Sequence, residues 1–467
     1  MGSFKRSASC RSGPALLLGL AVAVAASTDP KTTTTTTSTT TATNAPLPRI
    51  GQCSWSRYGY PLPMGLDVCP LPVTDQSADY APWSFPPFCV QAVDANDTTT
   101  ATTYCVYTAQ TFRGRGLSVI STPEMAANLV AALDDTRVPP RLRDHPASSM
   151  ADRAVRAAAG PYVIKNVPPR GKGLMARRRV PKWEQALIGF PIMIARMDFL
   201  EVVAPAARKQ LEDRALHQLP PAAQTAIMAL AHGNRPIVDR DFVLEHIFRA
   251  NIFGIEIADV SHFALQVEGS RINHECRPNT FWRYSQSSMA HEVVAFREIN
   301  MGEEFTHSYV PLGLPHAERT EAISRWGFAC SCPLCTASKQ AIFASDIRRR
   351  RLAEIYQALE SDAAEGLHTR DKIEALVKEM MLLINGEDLV VQLCEYYAAV
   401  ARAYLSIEDF EEARYYAGQS EEFWIRYATE EHDNRDAVRE LWTAIKTKEA
   451  EKLARRRRQE EAQSSEF

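Results

Sequence analysis

The sequence predicts an α+β fold, a β-rich core with a helical insert followed by a long α-helical region. Three observations lead there. Short runs of β-forming residues, among them Tyr162-Val163-Ile164, Ala186-Leu187-Ile188 and residues 292–296, are punctuated by Gly and Pro turns. Beyond Cys335 the chain becomes rich in Ala, Leu, Glu and Arg at helical spacing. Between the two, Cys330-x-Cys332-x-x-Cys335 gathers three thiols at metal-ligand spacing.

The N-terminal segments come before the core. Lys5, Arg6 and Arg11 precede an apolar run over residues 15–26, with the small residues Ala23 and Ala25 where cleavage is expected. Residues 1–26 therefore read as a signal peptide, and the run is too short to span a bilayer, so no transmembrane segment is expected in the mature chain. Residues 32–43 are almost all Thr and have nothing to bury, which makes residues 27–50 a disordered, glycosylation-prone linker.

Residues 51–160 form a Cys-rich N-terminal region with Cys53, Cys69, Cys89, Cys105 and the sequon Asn96-Asp97-Thr98. Four cysteines beside a signal predict two disulfides, with all three pairings open. From Thr111 to about Ala159, a Gly-rich turn at Arg113-Gly114-Arg115-Gly116 leads into Ala-rich and charged stretches that read as helices.

A domain boundary is expected near residue 160. Residues 161–310 carry the β signals, interrupted between Val202 and His232 by helical spacing of Leu211, Ala215, Leu219, Ile227 and Leu230 around Pro220-Pro221. Residues 311–337 hold the clustered cysteines. Residues 338–467 read as helical hairpins, and Tyr397, Val400, Ala401, Tyr404, Asp409-Phe410 and Ala413 fit one tetratricopeptide-like repeat.

Composition narrows the partners. With 53 Lys and Arg against 56 Asp and Glu, the formal net charge of −3 gives no support for a nucleic-acid surface, so none is expected to bind directly. The run from Arg455 to Arg458 sits among Glu and Lys and reads as a solvated helix face.

The residues that carry chemistry lie in three ordered motifs: Arg271-Ile272-Asn273-His274-Glu275-Cys276-Arg277-Pro278-Asn279, then Gly302-Glu303-Glu304 running to Ser308-Tyr309, then the cysteine cluster. A structural metal site wants four ligands, and the cluster offers three. Upstream, Gly171-Lys172-Gly173 opens a strand, where glycines let backbone approach a ligand; a lone G-x-G is a weak signal, and Gly114-Arg115-Gly116 is a rival.

Together these motifs resemble a SET-domain lysine methyltransferase with its post-SET zinc site, similar in layout to the SMYD-like branch and to fungal SET proteins with a Cys-rich N-terminal part, but with no MYND module. The resemblance covers residues 160 to 337 and, more weakly, the helical tail. It implies a knot-like crossing in the β core, S-adenosylmethionine (SAM) as cofactor, one structural Zn2+ per chain, and a protein substrate with a target lysine.

Residue by residue, the resemblance takes the fourth zinc ligand from Cys276, joining Cys330, Cys332 and Cys335. It puts Gly171, Lys172, Gly173, Asn251, Asn273, His274 and Phe328 at the cofactor and Tyr309 at the transfer step. Glu275 departs from the commoner Ser or Asp at its position.

The signal, Thr-rich linker and Asn96 point to the secretory pathway, whereas SAM and reduced zinc thiols belong to intracellular compartments, so cytoplasm or nucleus is the alternative. A secreted, non-catalytic interaction module built on the same scaffold is the competing function. The chain is expected to be a monomer.

Overall fold

A computed structural model describes residues 82–94, 97–232, 243–428 and 434–464. The signal peptide, the linker, Cys53, Cys69 and Asn96 lie outside the described residues. The strands are β1 (Phe88–Asp94), β2 (Asp97–Ala109), β3 (Leu117–Ser121), β4 (Tyr162–Asn166), β5 (Lys172–Ala176), β6 (Gln185–Gly189), β7 (Met193–Arg196), β8 (Ile252–Ile257), β9 (Val260–Leu265), β10 (Asn273–His274), β11 (Thr280–Tyr284), β12 (His291–Ala295) and β13 (Thr306–His307).

The largest sheet has the order β1-β2-β3-β7-β9-β8; only the β3–β7 pairing is parallel. It runs across residue 160, so strands from the Cys-rich region and strands of the following core share one hydrogen-bonded ladder. β3 lies inside the stretch expected to be helical, and its five residues are all buried. β1 and β2 are stapled by a Cys89–Cys105 disulfide between directly opposed residues.

The helical insert forms as its spacing predicts. Helices Pro205–His217 and Pro221–Met228 each begin at a proline, whose missing N–H costs nothing in the first turn. Leu211, Ala215, Leu219 and Ile227 face a core shared with β1, β2, β7 and β9.

The second layer is the three-stranded sheet β11-β12-β6, flanked by the β4–β5 hairpin. β10 and β13 pair in parallel, Asn273 beside Thr306 and His274 beside His307. This short pair brings the second motif against the first.

The C-terminal region is helical, as read from its spacing. Helix Lys339–Glu365 is capped by the Ser338 hydroxyl, which accepts from the Ala341 amide, and ends at Gly366 in the left-handed conformation at φ 70°. Helices Arg370–Glu387, Leu393–Ser406 and Phe410–Ala428 follow, then the long helix Asn434–Ser464, whose residues 453–464 are exposed. Ala399, Ala401, Ala403, Ala413 and Ala417 are fully buried where two helices meet closely. No helix among the described residues is long and apolar enough to cross a membrane.

These helices do not stand apart from the β core. Phe281, Val294 and Phe296 join one apolar cluster with Leu393, Tyr404 and Tyr427, and the Phe281 and Tyr427 rings meet edge-on at 4.6 Å. A buried ionic node adds to this. The Glu387 carboxylate accepts from Ser345 Oγ (2.7 Å), Arg348 Nε (2.7 Å) and Arg349 Nε (3.0 Å), and pairs with Arg277 at 2.9 Å. Arg277 directly follows Cys276, so one carboxylate ties the helical region to the central motif.

Burial pushes the Glu387 carboxyl up, but hydrogen bonds from Ser345 and Arg277 and the charge of Arg349 hold it below the ordinary carboxylate range. A depressed folded value means that its contribution is present above the unfolded pKa and is lost as pH falls through the lowered one. Glu387→Ala leaves Arg349 buried without its acid and is expected to cost about 3 kcal/mol. Chemical denaturation checks this; an unchanged midpoint would show the node to be inert.

Candidate functional site

Three chain segments meet at one point. The turn between β4 and β5 is held by the Gly171 carbonyl accepting from the Val167 amide (2.6 Å), and Gly171 sits at φ +76°, open to L residues only with strain. A Cβ on Gly173 would fall 2.5 Å from Glu304 Oε1 and 3.1 Å from Asn273 Nδ2. Only glycine lets the turn, β10 and the 302–304 segment come this close.

Asn273 Nδ2 donates to Glu304 Oε1 (2.7 Å) and lies 3.4 Å from the Lys172 carbonyl, while Arg170 forms an ion pair with the same Glu304 carboxylate. The rival turn is built differently. A Cβ on Gly116 would meet Pro220 and Leu219 of the helical insert, so that turn serves packing.

The pairing of β10 with β13 sets the second part of the site. His274 is buried, its Nδ1 accepts from the Tyr309 amide (3.0 Å), and its Nε2 lies 3.3 Å from Cys276 Sγ. Burial pushes its pKa down to about 4, so the ring is neutral at ordinary pH. Tyr309 Oη donates to the Ile272 carbonyl (2.8 Å), and burial raises its pKa above the usual phenol value. The hydroxyl therefore keeps its proton at neutral pH.

Aromatic rings pack around the Tyr309 ring. Trp326 lies 5.0 Å from the Tyr309 ring, His307 at 5.1 Å, and Phe328 at 6.2 Å, edge-on; Phe328 is also 6.3 Å from His274. Such a setting is apolar apart from a few directed polar atoms.

The four cysteines converge. The Sγ atoms of Cys276, Cys330, Cys332 and Cys335 all lie within 4.8 Å of one another, with Cys276 3.9 Å from Cys330 and 3.5 Å from Cys335. Zinc–thiolate bonds of ~2.3 Å in a tetrahedron would space sulfurs ~3.8 Å apart, so the residues fit a metal ion. Mutual hydrogen bonds among the thiols lower Cys332 and Cys335 but raise Cys276 and Cys330, so the four sulfurs share protons among themselves, and it is their spacing that fits a metal.

Asn251, also expected at the cofactor, joins the segment that leads into the first motif. It ends helix Val243–Asn251, and its Nδ2 donates to the carbonyls of Ala231 (2.5 Å) and Ile247 (2.7 Å), which engages both amide hydrogens. Its own carbonyl accepts from Ser270 Oγ (2.9 Å), two residues before Ile272. Its main chain thus braces the segment leading into the first motif, while its side chain ties the helix end to Ala231.

Sequence reasoning assigned no role to Glu304, Arg170 or Trp326. Glu304 was visible as the second acid of Gly302-Glu303-Glu304, beside the deeply buried Phe305, but nothing in its spacing tells which acid faces Asn273.

Comparison with known proteins agrees with this geometry. Residues 171–310 match the SET domain family. The chain is 28% identical over 195 residues to histone-lysine N-methyltransferase set5 of Schizosaccharomyces pombe, an alignment covering 41% of this chain and 56% of that protein. It is 30% identical over 103 residues to N-lysine methyltransferase SMYD2-B of Danio rerio, covering 21% and 23%. Histone-lysine N-methyltransferase ATXR2 of Arabidopsis thaliana matches at 35% over 75 residues, 16% of each chain. The alignments thus span just over half of the first relative and less than a quarter of the other two.

Proposed function

The chain carries a SET domain, and from that premise we propose that it is a SAM-dependent protein-lysine N-methyltransferase. The β10–β13 pairing is the observation that supports this most strongly, because it sets Asn273 and His274 beside the strand that delivers Tyr309.

The cofactor is assigned to Gly171, Lys172, Gly173, Asn273, His274 and Phe328. The close approach that Gly173 permits gathers Glu304 and Asn273, an acid and an amide that suit a ligand with cationic and hydrogen-bonding groups. Asn251 is assigned to the cofactor as well, and its main-chain carbonyl, accepting from Ser270, anchors the segment that leads to Asn273. Bound there, SAM supplies an electrophilic methyl group to a nucleophilic lysine amine.

Tyr309 positions that amine. Its proton is committed to the Ile272 carbonyl, so its oxygen presents lone pairs to the N–H of an incoming lysine. A free lysine, with a pKa of ~10.4, arrives mostly protonated, and the aromatic walls of Trp326 and Phe328 disfavour the charged form once water is excluded. With its own pKa raised, Tyr309 works by alignment rather than as a base.

The four cysteines are assigned one structural zinc per chain. A closed shell of four sulfurs leaves no open position for chemistry at the metal. It ties the 330–335 segment, and with it Trp326 and Phe328, to the first motif. The helical region is read as tetratricopeptide-like and as the surface that helps select the protein substrate.

Equilibrium binding of SAM to the zinc-loaded protein tests the proposal, with Asn273→Ala expected to weaken it about tenfold through loss of one hydrogen bond to a charged group. A folded, zinc-loaded protein that binds no SAM would leave a non-catalytic interaction module instead.

A further inference from the structure

The ring of His274 touches both the metal site and the tyrosine. Its two nitrogens have different tasks. A backbone N–H can only donate, so Nδ1, which lies 3.0 Å from the Tyr309 amide, is an acceptor and carries no proton. The ring proton is therefore on Nε2, 3.3 Å from Cys276 Sγ. A metal-bound thiolate has no S–H, so the hydrogen bond between them runs from Nε2–H to sulfur.

We propose that His274 is a positioning residue that fastens Tyr309 to the metal site, Nε2–H holding the Cys276 thiolate while Nδ1 holds the Tyr309 amide. The surrounding structure gives the ring little freedom to do otherwise. His274 is buried, its backbone is paired with His307 in the short β10–β13 ladder, and its ring lies 5.4 Å from that of Tyr309 and 6.3 Å from that of Phe328.

Two consequences follow from the geometry. The N–H···S bond lowers charge density on one of four crowded thiolates, which favours a complete ligand set. The same ring fixes the height of the Tyr309 backbone, and Tyr309 Oη returns to Ile272, two residues before His274. Cys276, His274, Tyr309 and Ile272 thus close a loop of contacts, so filling the metal site and setting the tyrosine hydroxyl are one structural event. The assignment rests on the metal and cofactor reading given above, yet it concerns cofactor-free protein, and a chain that never transfers a methyl group would still show it.

The direct test uses the unmodified protein loaded with NMR-active cadmium. The His274 ring should show the Nε2-protonated tautomer, with its Nε2 proton coupled to the metal through the Cys276 sulfur. A ring proton on Nδ1, or no coupling to cadmium in a fully loaded site, would overturn the proposal.

His274→Asn supplies the second arm, since Asn keeps an acceptor near the Nδ1 position and has no donor where Nε2 was. Zinc release to a chelator should be about 10–100-fold faster, the usual effect of removing an outer-shell partner. The thiolate-to-cobalt charge-transfer band of cobalt-loaded protein should also shift, while the Tyr309 amide stays protected from hydrogen exchange. Release at the unmodified rate with an unshifted band would likewise overturn it.

Discussion

Tyr309→Phe is expected to bind SAM as tightly as the unmodified protein and to transfer methyl groups about 10²–10³-fold more slowly, the cost of losing one preorganised polar group at a reacting centre. The split between binding and turnover follows from the geometry. The hydroxyl lies at the end of a ring whose other contacts, with Trp326, His307 and Phe328, are aromatic and survive the change. Phe also removes the hydrogen bond to the Ile272 carbonyl, so the variant's melting temperature must be compared with that of the unmodified protein. A variant that methylates at the unmodified rate would remove Tyr309 from the transfer step.

The second large effect concerns the metal. Purified chain is expected to hold one zinc, and Cys276→Ser to lower zinc affinity by more than the ~10–100-fold that an outer-shell change brings, because a direct thiolate is lost. Cys276 bridges distant parts of the chain, 54 residues from Cys330 and 59 from Cys335. Its loss should therefore free the 330–335 segment, which limited proteolysis would report, and should displace Trp326 and Phe328 from the Tyr309 ring. Methyl transfer and SAM binding should fall together, unlike in Tyr309→Phe. A folded chain with no bound metal and an ordered 330–335 segment would contradict the assignment.

Much of this site was legible in the sequence because its chemistry lies in residue types with narrow uses. Three thiols within six residues, and a fourth next to Asn273-His274, have few arrangements open to them. Gly173 was a weaker signal, and the distinction from Gly116 needed the fold. Both glycines permit close approach, but one admits Glu304 and Asn273 and the other Pro220 and Leu219.

The N-terminal part was less legible. β2 runs over Thr98, Thr99, Thr100, Thr102 and Thr103, a polar stretch beside two cysteines and a sequon for which no strand was expected although Thr is a good strand former. The Cys89–Cys105 pairing depends on hairpin register, which the turn and the neighbouring strand decide and residue identity does not. Glu304 and Trp326 escaped for a related reason. Their roles come from which way a side chain points at the meeting of three segments.

The parallel pairing of β3 with β7 bears on how the protein can be handled in pieces. A fragment started at residue 161 would lack β1, β2 and β3, and the flank of Met193–Arg196 that they cover would become a bare edge. Met193, Ile194 and Ala195 are buried there, and an apolar edge with unsatisfied amides and carbonyls recruits strands from other molecules. The minimal soluble unit therefore begins before Phe88, and aggregation of shorter fragments would report a missing neighbour strand rather than a defective SET core.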